Sequence, residues 1–141
     1  MSKLPRMHTA EHLLSAVMRK FYNAPRNLEL HLNEKKTKCD YQPDRSLTDP
    51  DIQQIENLVN KEIAEDHRVS SFIVDRKKAT EYDLWKVPTD VEQIRIVKIG
   101  DFDAQPCRGE HITNTEEICK FQISSFEFKE NNRIRIRFKL D

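Results

Sequence analysis

The chain has 141 residues, 37% of them apolar and 34% charged, and its 24 basic and 24 acidic residues give a formal net charge of zero. That length and balance describe one globular domain, residues 1–141, with a core of its own. They exclude a protein that coats nucleic acid by bulk charge, and the lack of any apolar run long enough to span a bilayer predicts no membrane segment.

"MSKLPRMH" is too short and polar for a secretory signal, so the expected compartment is the cytoplasm. The three cysteines are accordingly read as thiols or metal ligands and not as a disulfide framework. In "MHTAEHLL" the four-residue spacing of His8 and His12 puts both imidazoles on one helix face, where they suit a single ion or reacting group. Leu13, Leu14, Val17, Met18 and Phe21 continue the helical period, and Pro25 closes the segment. Taken alone, the pair reads as a helix-start histidine beside a partly buried one, since a zinc site needs further nitrogen or sulfur ligands. Glu11 lies just before the second histidine, unlike the glutamate of HExxH metalloproteases, and is expected to face solvent.

"LELHL" and "KTKCDY" alternate around Asn33 and Glu34 and predict a hairpin, with "PDRSLTDP" as the loop that follows. Thr48 or Asp49 caps the next helix, Pro50 suits its first turn, and Ile52, Ile55, Val59 and Ile63 form its buried stripe. This helix carries six acidic residues, from Asp49 to Asp66, against Lys61 alone, a surface that an anionic partner avoids. "VSSFIVD" reads as a strand, "RKKATEYDL" as a short helix, and "EQIRIVKI" as a strand ending at Gly100. "KFQISSFEF" and "RIRIRFKL" form the last hairpin, with Asn131 and Asn132 available for its turn. The pattern predicts an α+β fold, an antiparallel sheet covered on one face by helices.

Between those strands, "DAQPCRGEHITNTEE" repeats the four-residue spacing in Cys107 and His111. Pro106 and Gly109 oppose a continuous helix, so a turn is expected to present the thiolate and imidazole toward one point. His8, His12, Cys107 and His111 together make a nitrogen-and-sulfur donor set that favours one tetrahedral zinc ion over magnesium or calcium. His31 and His67 fall outside the pairing, as a strand-face residue and a residue at a helix C-terminus. Cys39 and Cys119 are expected in strands as small core residues.

The "HTAEHLL" helix, the "RIVKIGDFD" strand and the "CRGEHITNTEEI" turn resemble the editing domain of alanyl-tRNA synthetase and its free-standing AlaX trans-editing relatives. The same histidine and cysteine pairs also occur in the editing domain of threonyl-tRNA synthetase. Motif order and separation match over nearly the whole chain. The resemblance implies an editing-domain fold and hydrolysis of misacylated tRNA, seryl- or glycyl-tRNA(Ala), at a zinc site of His8, His12, Cys107 and His111. It also implies that Thr9 recognises the misacylated amino acid through its hydroxyl; the competing reading is a helix-start cap. Arg108, Glu110, Glu116 and Cys119 depart from the family's glycine- and threonine-containing pattern and bear on substrate choice.

Four protein ligands close a tetrahedral site, whereas a catalytic zinc keeps a position open for water or substrate. Two further readings therefore stand beside an aminoacyl-tRNA deacylase: a non-catalytic RNA-binding module with structural zinc, and a metallohydrolase of another activated ester. A metal-free site using Cys107 and the histidines is a third chemistry. For the RNA, "RIRIRFKL" alternates Arg133, Arg135, Arg137 and Lys139 with apolar residues, so a strand puts four cations on one face. That face is either a docking surface for tRNA phosphates or an ordinary solvated strand face.

Overall fold

The structure, a computed structural model, describes residues 3–141. Helix α1 runs Leu4–Tyr22 and begins one turn upstream of the histidine pair. Pro5 explains the early start, because a first-turn proline lacks only an N–H that the helix leaves unpaired. Arg19 and Lys20 oppose the negative end of the helix dipole, and Asn23 closes the helix in the left-handed conformation at φ 54°. Helix α2, Asp49–Ala64, follows its sequence signals closely. Thr48 and Asp51 form a capping box, Pro50 lies in the first turn, and Ile52, Ile55, Val59 and Ile63 are its buried residues.

Strands β1 (Glu29–His31) and β2 (Thr37–Tyr41), with β6 (Phe121–Phe128) and β7 (Ile134–Leu140), form an antiparallel sheet in the order β1-β2-β7-β6. Ile134, Ile136 and Phe138 point from β7 into the core, joined by Cys39, Tyr41 and Phe121. The inner faces of α1 and α2, including Met7, Leu13, Leu14, Val17, Ile55 and Val59, complete this core. The α+β expectation therefore holds, with both helices on one side of this sheet and the arginines of β7 on the other.

The single predicted sheet is in fact two. Strands β3 (Val69–Asp75), β4 (Gln93–Ile99) and β5 (Asp103–Pro106) form a separate antiparallel meander. Gly100, at φ 51°, makes the tight reversal after β4 that lets Asp103 pair with Ile99. β4 thus has both neighbours filled before β6 begins, and β6 takes β7 instead. The helix expected over "RKKATEYDL" reduces to a single 3-10 turn at Arg76–Lys78, because no apolar stripe at helical spacing rewards its extension. The residues that follow form successive tight turns braced by the Arg76 side chain, which donates to the carbonyls of Val91 and Pro88.

Cys39 is buried on β2 as expected. Cys119 is not in a strand: it is exposed, at φ 70°, just beyond the 3-10 turn Thr115–Ile118. Among the described residues no helix is long and apolar enough to cross a membrane.

Candidate metal centre

Two elements distant in sequence build the site. α1 supplies His8 and His12 one turn apart, and the loop leaving β5 supplies Cys107 and His111. Arg95 on β4 shapes that loop: its Nη1 donates to the carbonyls of Cys107 (3.0 Å) and Gly109 (2.8 Å), while the Cys107 N–H returns to the Arg95 carbonyl at 3.1 Å. Gly109 is required by closeness, since a Cβ there would overlap the His8 ring.

His8 Nε2 lies 3.3 Å and His111 Nε2 3.4 Å from Cys107 Sγ. The ligand atoms of His8, His12, Cys107 and His111 all fall within 4.8 Å of one another. A tetrahedral zinc with Zn–N of about 2.0–2.1 Å and Zn–S of about 2.3 Å sets N···S edges of roughly 3.6 Å, so the set fits such an ion. The imidazoles are also in the right protonation state. Burial is the main cause that lowers His12 to about 3 and His111 to about 2, with repulsion among the histidines adding to it, and His8 is lowered too. All three rings are therefore neutral near pH 7, with lone pairs available. Burial also pushes the Cys107 thiol up, so a bound cation would be what favours its thiolate.

Behind the donor cluster, one side chain orients a ring through a hydrogen bond and a second stands close to another ring. Thr9 is fully buried; its hydroxyl donates to the Pro5 carbonyl at 2.8 Å and accepts from the Ile112 N–H at 3.3 Å. His111 Nδ1 lies 3.1 Å from the same oxygen. The one hydroxyl proton is committed to Pro5, so His111 donates through Nδ1 and keeps the Nε2 lone pair for the site. Asp103 stands behind His12 without a hydrogen bond to it: its Oδ2 lies 4.0 Å from Nδ1, both atoms unpaired, while Arg19 holds its Oδ1 at 2.5 Å. Thr9 is thus well inside α1, so the helix-start cap does not hold, and its hydroxyl is committed to His111, Pro5 and Ile112 instead of lining the cleft.

A two-lobed cleft borders the donors. One lobe is lined by Ser15, Asn27, Asp83, Trp85 and Gln105, the other by His8, Cys107, Leu30, Ile94, Arg95 and Arg108, with Glu11, His12, Lys86, Val87 and Pro106 common to both. The solvent-facing expectation for Glu11 is overturned: the residue is only 5% exposed. It shares a helix face with His8 three residues before it, so packing α1 against the core took the glutamate with the ligands. Nothing in the sequence marks it except that i, i+3 relation.

The basic face of β7 forms as the alternation predicted, but most of its charge is matched. Arg133 donates to Asp40 Oδ2 at 2.7 Å, Arg135 to Asp40 Oδ1 at 2.8 Å and to Glu29 at 3.2 Å, and Arg137 pairs with Glu127 at 3.2 Å. Burial pushes the Asp40 carboxyl up, but hydrogen bonds from Arg135 and Arg133 outweigh it and hold the group below its usual range. Lys139 is exposed. The acidic residue in "TKCDY" was a signal for this pairing, because β2 lies beside β7 and sets Asp40 opposite Arg135.

Residues 94–137 match the family described as the threonyl and alanyl tRNA synthetase second additional domain. An alanine–tRNA ligase of Aeropyrum pernix is 31% identical over 138 residues, covering 94% of this chain and 15% of that protein. The alanyl-tRNA editing protein AlaX-L of Pyrococcus horikoshii is 34% identical over 137 residues, 94% of this chain and 32% of its own. The alanyl-tRNA editing protein AlaX-M of Methanosarcina acetivorans is 30% identical over 142 residues, 96% of this chain and 57% of its own. The chain thus spans less than two thirds of the length of each of these relatives.

Proposed function

Since this chain belongs to the alanyl-tRNA synthetase type of editing domain, we propose that it is an aminoacyl-tRNA deacylase that clears seryl- or glycyl-tRNA(Ala). The observation that supports this reading best is the convergence of His8, His12, Cys107 and His111 on one point at the wall of a cleft. In the reaction, water adds to the ester carbonyl carbon, the bond to the terminal ribose oxygen breaks, that oxygen takes a proton, and the free amino acid leaves. An aminoacyl ester is labile enough that positioning and charge stabilisation suffice without a covalent nucleophile. A zinc ion held by these side chains would supply Lewis acidity there when its coordination expands or one ligand moves aside to admit water or the ester carbonyl. The protein's part is to keep three imidazoles neutral and oriented, to hold the Cys107 turn through Arg95, and to bring the ester into the cleft. The strand cations, chiefly Arg137 and Lys139, are the proposed contacts to tRNA phosphates.

One feature favours a second reading, a structural zinc in an RNA-binding module: four protein ligands fill a tetrahedron. Turnover separates the two. The test is a panel of seryl-, glycyl-, alanyl- and threonyl-tRNAs offered to zinc-loaded protein. Release of serine or glycine supports the deacylase; tight tRNA binding without release supports the module. Equal hydrolysis of a small aminoacyl ester lacking the tRNA body would instead support a metallohydrolase of other activated esters.

A further inference from the structure

Glu11 is a buried carboxyl group on the cleft wall that makes no ion pair among the described residues, Lys86 acting on it only through space. The other acidic side chains of its lobe are matched, Asp83 to Arg26 at 3.2 Å and Asp103 to Arg19 at 2.5 Å. Glu11 has only neutral donors. Ser15 Oγ–H donates to its Oε2 at 2.6 Å, and Asn27 Nδ2 lies 3.4 Å from the same oxygen. Because the Ser15 proton is used on Glu11, the Tyr41 hydroxyl, 2.7 Å away, donates to Ser15 and fixes it in turn. Lys86, shared by both lobes, donates to Asn27 Oδ1 and not to the carboxylate. Every donor that reaches Glu11 from the described residues therefore meets Oε2, and Oε1 remains for whatever occupies the cleft.

From this arrangement we infer that Glu11 Oε1 receives the α-ammonium of the aminoacyl ester. The inference rests on the deacylase reading above and assigns within it the residue that recognises the free α-amino group, setting aminoacyl esters apart from N-acylated or α-hydroxy esters. The chemistry is consistent in position and charge. The α-ammonium of an aminoacyl ester is separated from the reacting carbonyl by a single carbon, and Glu11 stands on the same face of α1 as His8 and directly before His12. A buried carboxylate with one oxygen anchored by neutral groups is completed by a cation that can donate, which an α-ammonium does and an α-hydroxyl or acetamide does only as a neutral donor. The other lobe, with Leu30, Ile94, Arg95 and Arg108, suits the ribose and phosphate side of the tRNA terminus.

The test compares two ester substrates of the same tRNA, seryl-tRNA and its α-hydroxy counterpart glyceryl-tRNA, on the zinc-loaded full chain. Wild type should favour the seryl ester by about tenfold or more in kcat/KM, the scale of a hydrogen bond between charged groups. Glu11→Gln, isosteric and still able to accept from Ser15, should bring the two substrates within about threefold, chiefly by raising KM for the seryl ester, while Glu11→Asp should retain part of the preference. A fall in kcat that is equal on both esters would place Glu11 on the attacking water and overturn the inference. A binding arm stands apart from turnover. The non-hydrolysable amide 3′-seryl-amino-adenosine and its N-acetyl derivative are titrated while following the single tryptophan, Trp85, which lines the Glu11 lobe. The free amine should bind at least about tenfold tighter, and Glu11→Gln should erase that difference. Equal affinities in wild type would refute the ammonium contact. If wild type hydrolyses neither ester, the deacylase reading fails while the binding arm still decides what Glu11 recognises.

Discussion

His12 Nδ1 and Asp103 Oδ2 face each other at 4.0 Å, both buried and neither with a hydrogen-bond partner among the described residues. A small closing movement would join them, fixing the His12 proton on Nδ1 and leaving Nε2 as the ligand atom, with Arg19 steadying the carboxylate from behind. Partners of this kind on a ligating histidine contribute about 10–100-fold in metal affinity. Asp103→Ala should therefore weaken zinc binding by about that factor in a chelator competition, and Asp103→Asn by less. Unchanged affinity in Asp103→Ala would mean that the pair is only a packing contact.

Thr9→Val removes the acceptor for His111 Nδ1–H while preserving shape. It should lower zinc affinity and slow deacylation of seryl- and glycyl-tRNA by the same factor, and Thr9→Ser should retain both. A loss confined to seryl-tRNA would restore the direct contact to the serine hydroxyl that the sequence resemblance implies.

The low values of His12, about 3, and His111, about 2, make stability depend on pH. In the unfolded chain a histidine titrates near 6.5, so from there downward the unfolded state binds protons that these folded-state rings refuse. Stability contributed by the neutral rings is complete above about pH 6.5 and is lost progressively as pH falls toward the folded-state values. Urea midpoints of the metal-free protein should fall between pH 7.5 and pH 5, and His111→Gln should reduce that slope. A flat profile across this range would contradict buried neutral imidazoles.

Docking of tRNA on β7 predicts a division among its cations. Arg137→Gln combined with Lys139→Gln should leave zinc binding intact and flatten the dependence of tRNA affinity on salt by about 0.7–0.9 for each phosphate no longer neutralised. Arg135→Gln should instead lower stability, since it withdraws a partner from the fully buried Asp40 carboxylate. If the double variant keeps the wild-type salt slope, the face is not the docking surface, and Arg76, Lys77 and Lys78 become the next group to change.

The parts of the site legible in the sequence are those set by local spacing. The pairs at 8 and 12 and at 107 and 111 announce themselves because four residues make one helical turn or one tight loop, and α2 announces its cap and stripe for the same reason. Glu11, Asp103 and Asp40 were not legible in that way, because each owes its role to a partner from another element: Ser15 and Asn27 around Glu11, Arg19 and His12 around Asp103, Arg133 and Arg135 around Asp40. The division into two sheets was likewise hidden. It depends on the reversal at Gly100 and on which neighbour β4 accepts, a choice that strand patterning alone leaves open.

The central claim, one metal centre built from His8, His12, Cys107 and His111 that hydrolyses misacylated tRNA, is tested most directly by titrating zinc into metal-free protein while measuring serine release from seryl-tRNA(Ala). Activity should rise with added zinc and level off at one ion per chain, and Cys107→Ala should neither bind zinc tightly nor gain activity, whereas Cys39→Ala and Cys119→Ala should behave as wild type. Full activity without metal, or one tightly bound zinc with no serine released, would contradict the account.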